Sequence, residues 1–177
     1  MQAQGGGRRG ARELAFWVAV IAGVLLDQVS KFAVAGSLEL NGYVTILPGF
    51  LRFTYITNTG TFWGNLRGYN TFFVGLSFAA LAFILYLRYI APPRGRWLGA
   101  SLALILAGAF GNLIDRIAFG CVRDFIDCHV GERYHWPVFN IADSLICVGL
   151  AIYIAGTWGV KSEPAPTGPP AEGSPEG

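Results

Sequence analysis

The stretch that determines the fold is residues 97–117, WLGASLALILAGAFGNLIDRI, in which apolar and small residues continue almost without interruption up to Asn112. A hydrocarbon core of about 30 Å takes roughly 20 helical residues to cross, so this run has the length of a membrane span. Its end nevertheless carries Asn112, Asp115 and Arg116. Because ionisable groups at bilayer depth are costly unless they face protein or water, these residues are candidates for a functional site.

The whole chain has the composition of a polytopic membrane protein. Hydrophobic residues make up 53% of it and its mean hydropathy is +0.46, while charged residues make up 14%, against about 25% in a soluble domain. Four apolar runs predict an α-helical bundle with four transmembrane helices, residues 14–36, 71–90, 97–117 and 138–160. The net charge of +2 comes with no basic patch, so we expect no nucleic-acid partner.

The four runs form one predicted domain, residues 13–160, between two tails. Residues 1–12 are polar and Gly-rich, and residues 161–177 are dominated by Pro, Gly, Glu and Ala. Neither segment can bury enough apolar surface to fold alone, so both are predicted to be disordered.

Basic residues predict the orientation of the bundle. They precede the first run, surround the short turn after the second and follow the last, namely Arg8, Arg9, Arg12, Arg88, Arg94, Arg96 and Lys161. With four spans these positions share one side, so both termini are predicted to be cytoplasmic. The alternative is that residues 8–35 form a cleavable signal peptide, which would leave three spans.

The first outer segment contains two β-prone runs, residues 43–47 and 51–57, separated by Pro48 and Gly49. This pattern predicts a small β hairpin, which could act as a flap over an extended peptide or simply connect two helices.

Polar residues recur on the predicted helices at helical spacing. Asn112, Asp115 and Arg116 stand at i, i+3 and i+4, and Asn140, Asp143 and Ser144 repeat this spacing on the fourth span. Each trio is therefore predicted to occupy one helix face. On the first span Asp27 and Lys31 stand at i and i+4, where an intrahelical ion pair would be structural.

Two carboxyl groups in one site would suit peptide hydrolysis. Like charges at close range cannot both ionise, so one acid stays protonated near neutral pH while the other takes a proton from water. The two groups then titrate as one unit, and the reaction needs no metal or other cofactor.

The motifs resemble those of bacterial lipoprotein signal peptidase (signal peptidase II). In order along the chain they are DQ at 27–28 with Lys31, NTG at 58–60, GNLIDR at 111–116, VRDFID at 122–127 and FNIADS at 139–144. The resemblance implies an aspartyl endopeptidase of the bacterial inner membrane that acts near the outer leaflet. Its substrate would be a prolipoprotein, cut on the N-terminal side of a diacylglyceryl-modified cysteine, and its partners would otherwise be membrane lipids.

The resemblance also implies residue roles. Asp124 and Asp143 match the catalytic pair. The remaining matched residues would bind substrate or support the site, with Asp115 fixing Arg116 and Asp27 supporting helix packing; they are Asn58, Gly60, Asn112, Asp115, Arg116, Asn140, Ala142, Asp27 and Lys31. Thr61 and Phe62 depart from the family pattern, in which small residues follow the glycine. We expect a monomer.

Other readings remain open at this point. Cys121, Cys128, His129 and His135 fall in one outer loop and could hold zinc, but no paired C-x-x-C motif is present and no metal is expected. Cys121 and Cys128 could instead form a disulfide, and Cys147 would be a packing residue. Asp127 is predicted to be a solvated loop acid.

A transport function is the non-enzymatic alternative. Asp27, Asp115, Asp124 and Asp143 would then be stations for a proton or a cation. Serine and presenilin-like intramembrane proteolysis are disfavoured, since their Gly-containing motifs are missing from the sequence.

Overall fold

The computed structural model describes residues 3–60, 70–92, 96–131 and 133–158. The Pro-rich segment 161–177 and the departures at Thr61 and Phe62 lie outside these residues.

Four helices make up most of the molecule. They are α1 (Ala3–Ser37), α2 (Asn70–Tyr89), α3 (Arg96–Phe119) and α4 (Ile141–Thr157). Three contain segments long and apolar enough to cross a membrane, Arg9–Ser37, Asn70–Tyr89 and Trp97–Phe119. These agree with the first three predicted spans, although α1 begins earlier, inside the segment predicted to be a disordered tail.

Helix α4 is shorter than the predicted span 138–160. It has 17 residues, about 25 Å at 1.5 Å per residue, and its first residue is Ile141. Phe139 is held in an extended conformation by an antiparallel bridge to Ile126, so the helix cannot begin before Asn140. The predicted first residues of this span are therefore wrong, and residues 159–160 lie outside the described chain.

A four-stranded antiparallel sheet stands at one end of the bundle, in the order β1-β2-β3-β4. Its strands are β1 (Tyr43–Leu47), β2 (Leu51–Asn58), β3 (Val122–Val130) and β4 (Tyr134–His135). The predicted hairpin is confirmed as β1 and β2, with Gly49 in the turn at a φ of 75° that favours glycine. Strand β3 pairs with β2 and was not predicted.

Helix α3 is the centre of the bundle and contacts the other three helices. Leu102, Leu106 and Ala107 of α3 are fully buried and form the core with residues of α1 and α2. Helix α4 packs tightly against α3 at Gly108 and Gly149, where an added side-chain carbon would meet the backbone of the opposite helix. By contrast, large apolar side chains such as Phe32, Phe72 and Ile154 are exposed on the outside, as expected of a lipid-facing surface.

Candidate active site

Asp124 on β3 and Asp143 on α4 lie next to each other, joined by Asn140. The Asn140 side chain donates to Asp124 Oδ1 over 2.7 Å, and the Asn140 backbone N–H donates to Asp143 Oδ2 over 3.2 Å. Further donors are Asn58, 3.1 Å from Asp124 Oδ2, and Asn112, 2.8 Å from Asp143 Oδ1. The two acids thus share a set of amide donors that come from β2, α3 and the start of α4.

The local sequence explains why Asn140 can serve both acids. Asn140 is the N-cap of α4 and Asp143 is the third helical residue, and their side chains and backbone N–H groups bond reciprocally in a capping box. This corrects the prediction that Asn140, Asp143 and Ser144 share one helix face, because Asn140 has an extended backbone. The cap places Asp143 at the positive end of the helix dipole, which favours a carboxylate there.

The two acids line one cavity of about 520 Å³ between the sheet and the helices. Its wall combines these carboxylates with amides, one guanidinium and apolar side chains: Asn58, Gly60, Phe73, Asn112, Arg116, Val122, Asp124, Val138, Phe139, Asp143, Ile146 and Cys147. A larger cavity of about 610 Å³ is lined by Arg12, Arg88 and apolar residues. No carboxylate lines that second cavity among the described residues, so it offers no acid-base pair.

The electrostatics of Asp124 suit proton transfer. Burial raises the pKa of Asp124, and the nearby charge of Asp143 raises it further, to about 7. Hydrogen bonds from Asn58 and Asn140 oppose this rise because they stabilise the carboxylate. Asp124 can therefore hold or release a proton near neutral pH.

Neither acid of the cavity is paired with a cation. Within the described chain, no Lys, Arg or His nitrogen forms a salt bridge with Asp124 or Asp143, whereas Asp27, Asp115 and Asp127 each form at least one. The Arg116 guanidinium lines the same cavity and stacks over the Phe73 ring, 5.6 Å from its centre.

The predicted pairing of Asp115 with Arg116 is wrong. Asp115 instead accepts from the Arg123 guanidinium over 2.8 Å and from the Arg123 backbone N–H over 2.9 Å. Successive residues of a helix point in different directions, so Asp115 and Arg116 diverge. The sequence analysis assigned no role to Arg123. The signal that could have found it is that a carboxylate at bilayer depth is usually paired with a cation.

A buried network of opposite charges lies behind the cavity. Lys31 Nζ lies 2.8 Å from Asp27 Oδ2 and 3.4 Å from Asp115 Oδ2, and all three side chains are fully buried. Lys31 also donates to Asn112 Oδ1 over 3.2 Å. The predicted Asp27–Lys31 pair is confirmed, and through Asn112 it touches a residue that holds Asp143.

Asp27 also fixes the start of α4. Its Oδ1 accepts from the backbone N–H of Ala142 over 2.9 Å, and the Ala142 side chain is fully buried. This bond satisfies one of the free N–H groups at the helix start and connects α1 to the residue before Asp143.

Asp127 is not the solvated loop acid that was predicted. It is 2% exposed and its Oδ2 accepts from Arg52 over 2.6 Å and from Thr54 over 3.0 Å. Burial raises the pKa of Asp127, but hydrogen bonds from Arg52, His135 and Thr54 outweigh it and leave the pKa below its usual value. The error arose because β3 was not recognised as a strand paired with β2.

Comparison with known proteins identifies the family. The family model described as signal peptidase (SPase) II matches residues 19–158. The chain belongs to the signal peptidase II family. This confirms the resemblance found in the motifs, and it makes the protein a membrane protease.

Relatives agree over most of the chain. The lipoprotein signal peptidase of Syntrophus aciditrophicus is 44% identical over 136 residues, covering 74% of this chain and 84% of the relative. That of Microcystis aeruginosa is 38% identical over 148 residues, covering 83% of this chain and 94% of the relative.

Solved structures of this family's fold are also similar. A bacterial membrane enzyme solved by the in meso method at 1.9 Å resolution has a TM-score of 0.75 and 31% identity, and the match covers 83% of this chain and 94% of that one. A second, at 2.3 Å, gives a TM-score of 0.74 and 32% identity over 80% of this chain and 86% of that one.

Proposed function

We propose that this signal peptidase II family member is an aspartic endopeptidase that removes the signal peptide from prolipoproteins. It would cut on the N-terminal side of the diacylglyceryl-modified cysteine, with Asp124 and Asp143 as the catalytic pair. The observation that carries the proposal is that these two acids line one cavity and, among the described residues, accept hydrogen bonds only from amides, while the other buried acids are paired with cations.

The proposed reaction uses one proton shared by the pair. The ionised carboxyl takes a proton from water as the water oxygen attacks the scissile carbonyl, and the protonated carboxyl gives its proton to the carbonyl oxygen. The tetrahedral gem-diol intermediate then collapses: one of its hydroxyl groups gives its proton to the ionised carboxyl, the C–N bond breaks, and the leaving nitrogen takes the proton of the other carboxyl, so the pair again holds one proton. A pKa of about 7 for Asp124 supports such a pair at neutral pH.

The amide residues would position the acids and the substrate. Asn112 and Asn140 donate to the carboxylates, which keeps the pair oriented. Asn58 is itself oriented by Gly60, whose backbone N–H donates to Asn58 Oδ1 over 3.1 Å. Arg116 makes no side-chain hydrogen bond to another described residue, so it would bind a carbonyl group of the substrate backbone.

The lipid part of the substrate would enter from the side. Moving acyl chains out of a bilayer costs about 0.8 kcal/mol per CH₂ group, so a diacylglyceryl substrate stays in the membrane. Phe73 of α2 and Ile146 and Cys147 of α4 form an apolar wall of the cavity, and Cys147 is also exposed on the outside of the bundle. A gap at this wall would admit the lipid directly from the membrane.

The proposal includes the setting of the enzyme. It would lie in the bacterial inner membrane as a four-span monomer with both termini in the cytoplasm and the cavity near the outer leaflet, and the reaction would need no cofactor. The basic residues near the span ends, including Arg12 and Arg88, support this orientation.

A gel-shift assay of prolipoprotein cleavage in detergent and EDTA tests the function. The unmodified protein should cleave diacylglyceryl-modified substrate faster than unlipidated substrate, and Asp124→Asn and Asp143→Asn should both be inactive. Asp127→Asn is the matched control on the same strand and should stay active. Equal cleavage of both substrates would refute the lipid requirement, and no cleavage by the unmodified protein would reopen the transport reading.

A further inference from the structure

A second polar cluster, apart from the proposed catalytic cavity, lies on β3 and β4. Asp127 and His129 are two residues apart on β3, so their side chains project from the same face of the strand. His135 of β4 pairs directly with His129 across the sheet. One ligand atom from each of the three residues can be chosen so that all lie within 4.8 Å of one another.

The geometry of this cluster is close to that of a tetrahedral zinc site. Zinc bound by nitrogen and oxygen at about 2.0–2.2 Å places its ligand atoms roughly 3.3–3.5 Å apart. Asp127 Oδ1 lies 3.3 Å from His135 Nδ1 and 4.0 Å from His129 Nδ1. The distance from Asp127 Oδ1 to His135 Nδ1 already fits a zinc site. The distance to His129 Nδ1 would have to shorten by about 0.5–0.7 Å.

His129 gives independent evidence for a ligand. Its side chain is 5% exposed, and its Nδ1 has no hydrogen-bond partner among the described residues. A buried polar atom without a partner is costly and rare in folded proteins. Since Nδ1 is the atom on the Asp127 side, a bound cation there would satisfy it.

The remaining contacts of Asp127 orient it for such a role. Arg52 and Thr54 both bond Oδ2, which leaves Oδ1 facing the histidines. Partners of this kind around a metal-binding carboxylate fix its direction and are a regular part of metal sites. Both histidines line a cavity of about 420 Å³.

We propose that Asp127, His129 and His135 bind one Zn²⁺ ion, with solvent or an anion as the fourth ligand. Two imidazoles and one carboxylate form a known ligand class for zinc. This set differs from the cysteine-containing one considered from the sequence, since it uses Asp127 in place of Cys121 and Cys128. The ion would link β3 to β4 and is distinct from the proposed reaction at Asp124 and Asp143.

Zinc binding to the whole protein tests this directly. The chain contains only two histidines, so a tag without histidine leaves no other imidazole. The protein is purified in detergent, stripped with a chelator and titrated with Zn²⁺ against a chromogenic competitor. We expect one Zn²⁺ per chain, and an affinity lower by about a hundredfold or more in His129→Ala and in His135→Ala. Cys128→Ser, on the same strand, should bind like the unmodified protein.

Cobalt substitution identifies the ligands independently of any variant. The unmodified protein with Co²⁺ should show the visible bands of a tetrahedral site without a thiolate charge-transfer band. His135 is partly exposed, so we expect His135→Ala to fold. Peptidase activity of this variant in EDTA checks that it does. The proposal would be overturned by absence of stoichiometric binding to the unmodified protein, by a thiolate band, or by a histidine variant that binds Zn²⁺ as tightly as the unmodified protein.

Discussion

Removing the Asn58 amide should change the pH at which the enzyme loses activity. Asn58 donates to Asp124 Oδ2 over 3.1 Å, and this bond favours the ionised form of Asp124. Asn58→Leu keeps the approximate size of the side chain but removes the donor. The protonated form of Asp124 is then favoured, so its pKa rises above about 7.

The size of this effect follows from the type of bond. A hydrogen bond to a charged group contributes about 1.5–3 kcal/mol, and 1.36 kcal/mol corresponds to one pKa unit. We therefore expect the higher of the two apparent pKa values of the proposed catalytic pair to rise by about one to two units. Because the proposed reaction needs one protonated carboxyl, the loss of activity at alkaline pH should move to higher pH.

The charged groups around Asp124 are unchanged by this substitution. Asp143 from α4 raises the pKa of Asp124 and Lys31 from α1 lowers it, while Arg116 of α3 lines the same cavity. The assay is the pH dependence of kcat for cleavage of a diacylglyceryl-modified peptide. Thr54→Val is the matched control, since it removes a bond from the same strand to Asp127 and should leave the profile in place. The reasoning would be refuted if the pH at which kcat falls on the alkaline side were unchanged or lower in Asn58→Leu.

Two further substitutions test the packing of the bundle, measured by thermal unfolding in detergent. Lys31→Met leaves Asp27 and Asp115 without this buried cation and should cost about 3–5 kcal/mol; an unfolding temperature equal to that of the unmodified protein would contradict the buried-charge account. Gly108→Ala places a carbon against the α4 backbone and should cost about 1–3 kcal/mol, whereas Gly99→Ala on the same helix meets open space and should not destabilise. Equal effects of the two alanines would argue against close contact of α3 and α4.

The helices and the hairpin were predictable because their signals are local. Span length follows from runs of apolar residues, and the β1–β2 hairpin follows from β-prone runs around Gly49. Charge pairing within one helix, as between Asp27 and Lys31, also depends only on spacing.

The errors concern contacts between distant segments. Arg123 pairs with Asp115 because β3 turns back onto α3, and Asp127 is buried because β3 pairs with β2. The start of α4 was misplaced because the bridge from Phe139 to Ile126 keeps that residue extended. None of these contacts produces a local pattern in the sequence. Each could be found only from the three-dimensional structure.

The distribution of charge partners gives a physical reason to separate the structural acids from the proposed catalytic ones. Asp27 and Asp115 are held by Lys31 and Arg123, which fixes the orientation of their carboxylates. In the described part of the chain the hydrogen-bond donors to Asp124 are amides, and its pKa is raised to about 7. A carboxyl group with a pKa near 7, as at Asp124, can exchange a proton during a reaction at neutral pH.

The most direct test of the catalytic pair compares kcat/KM for Asp124→Asn, Asp143→Asn and the double variant in EDTA. Two groups that share one proton act as a unit, so each single variant should lose about 10³-fold or more and the double variant should lose no more than either single one. Losses that multiply in the double variant, or a single variant that retains activity, would contradict the account.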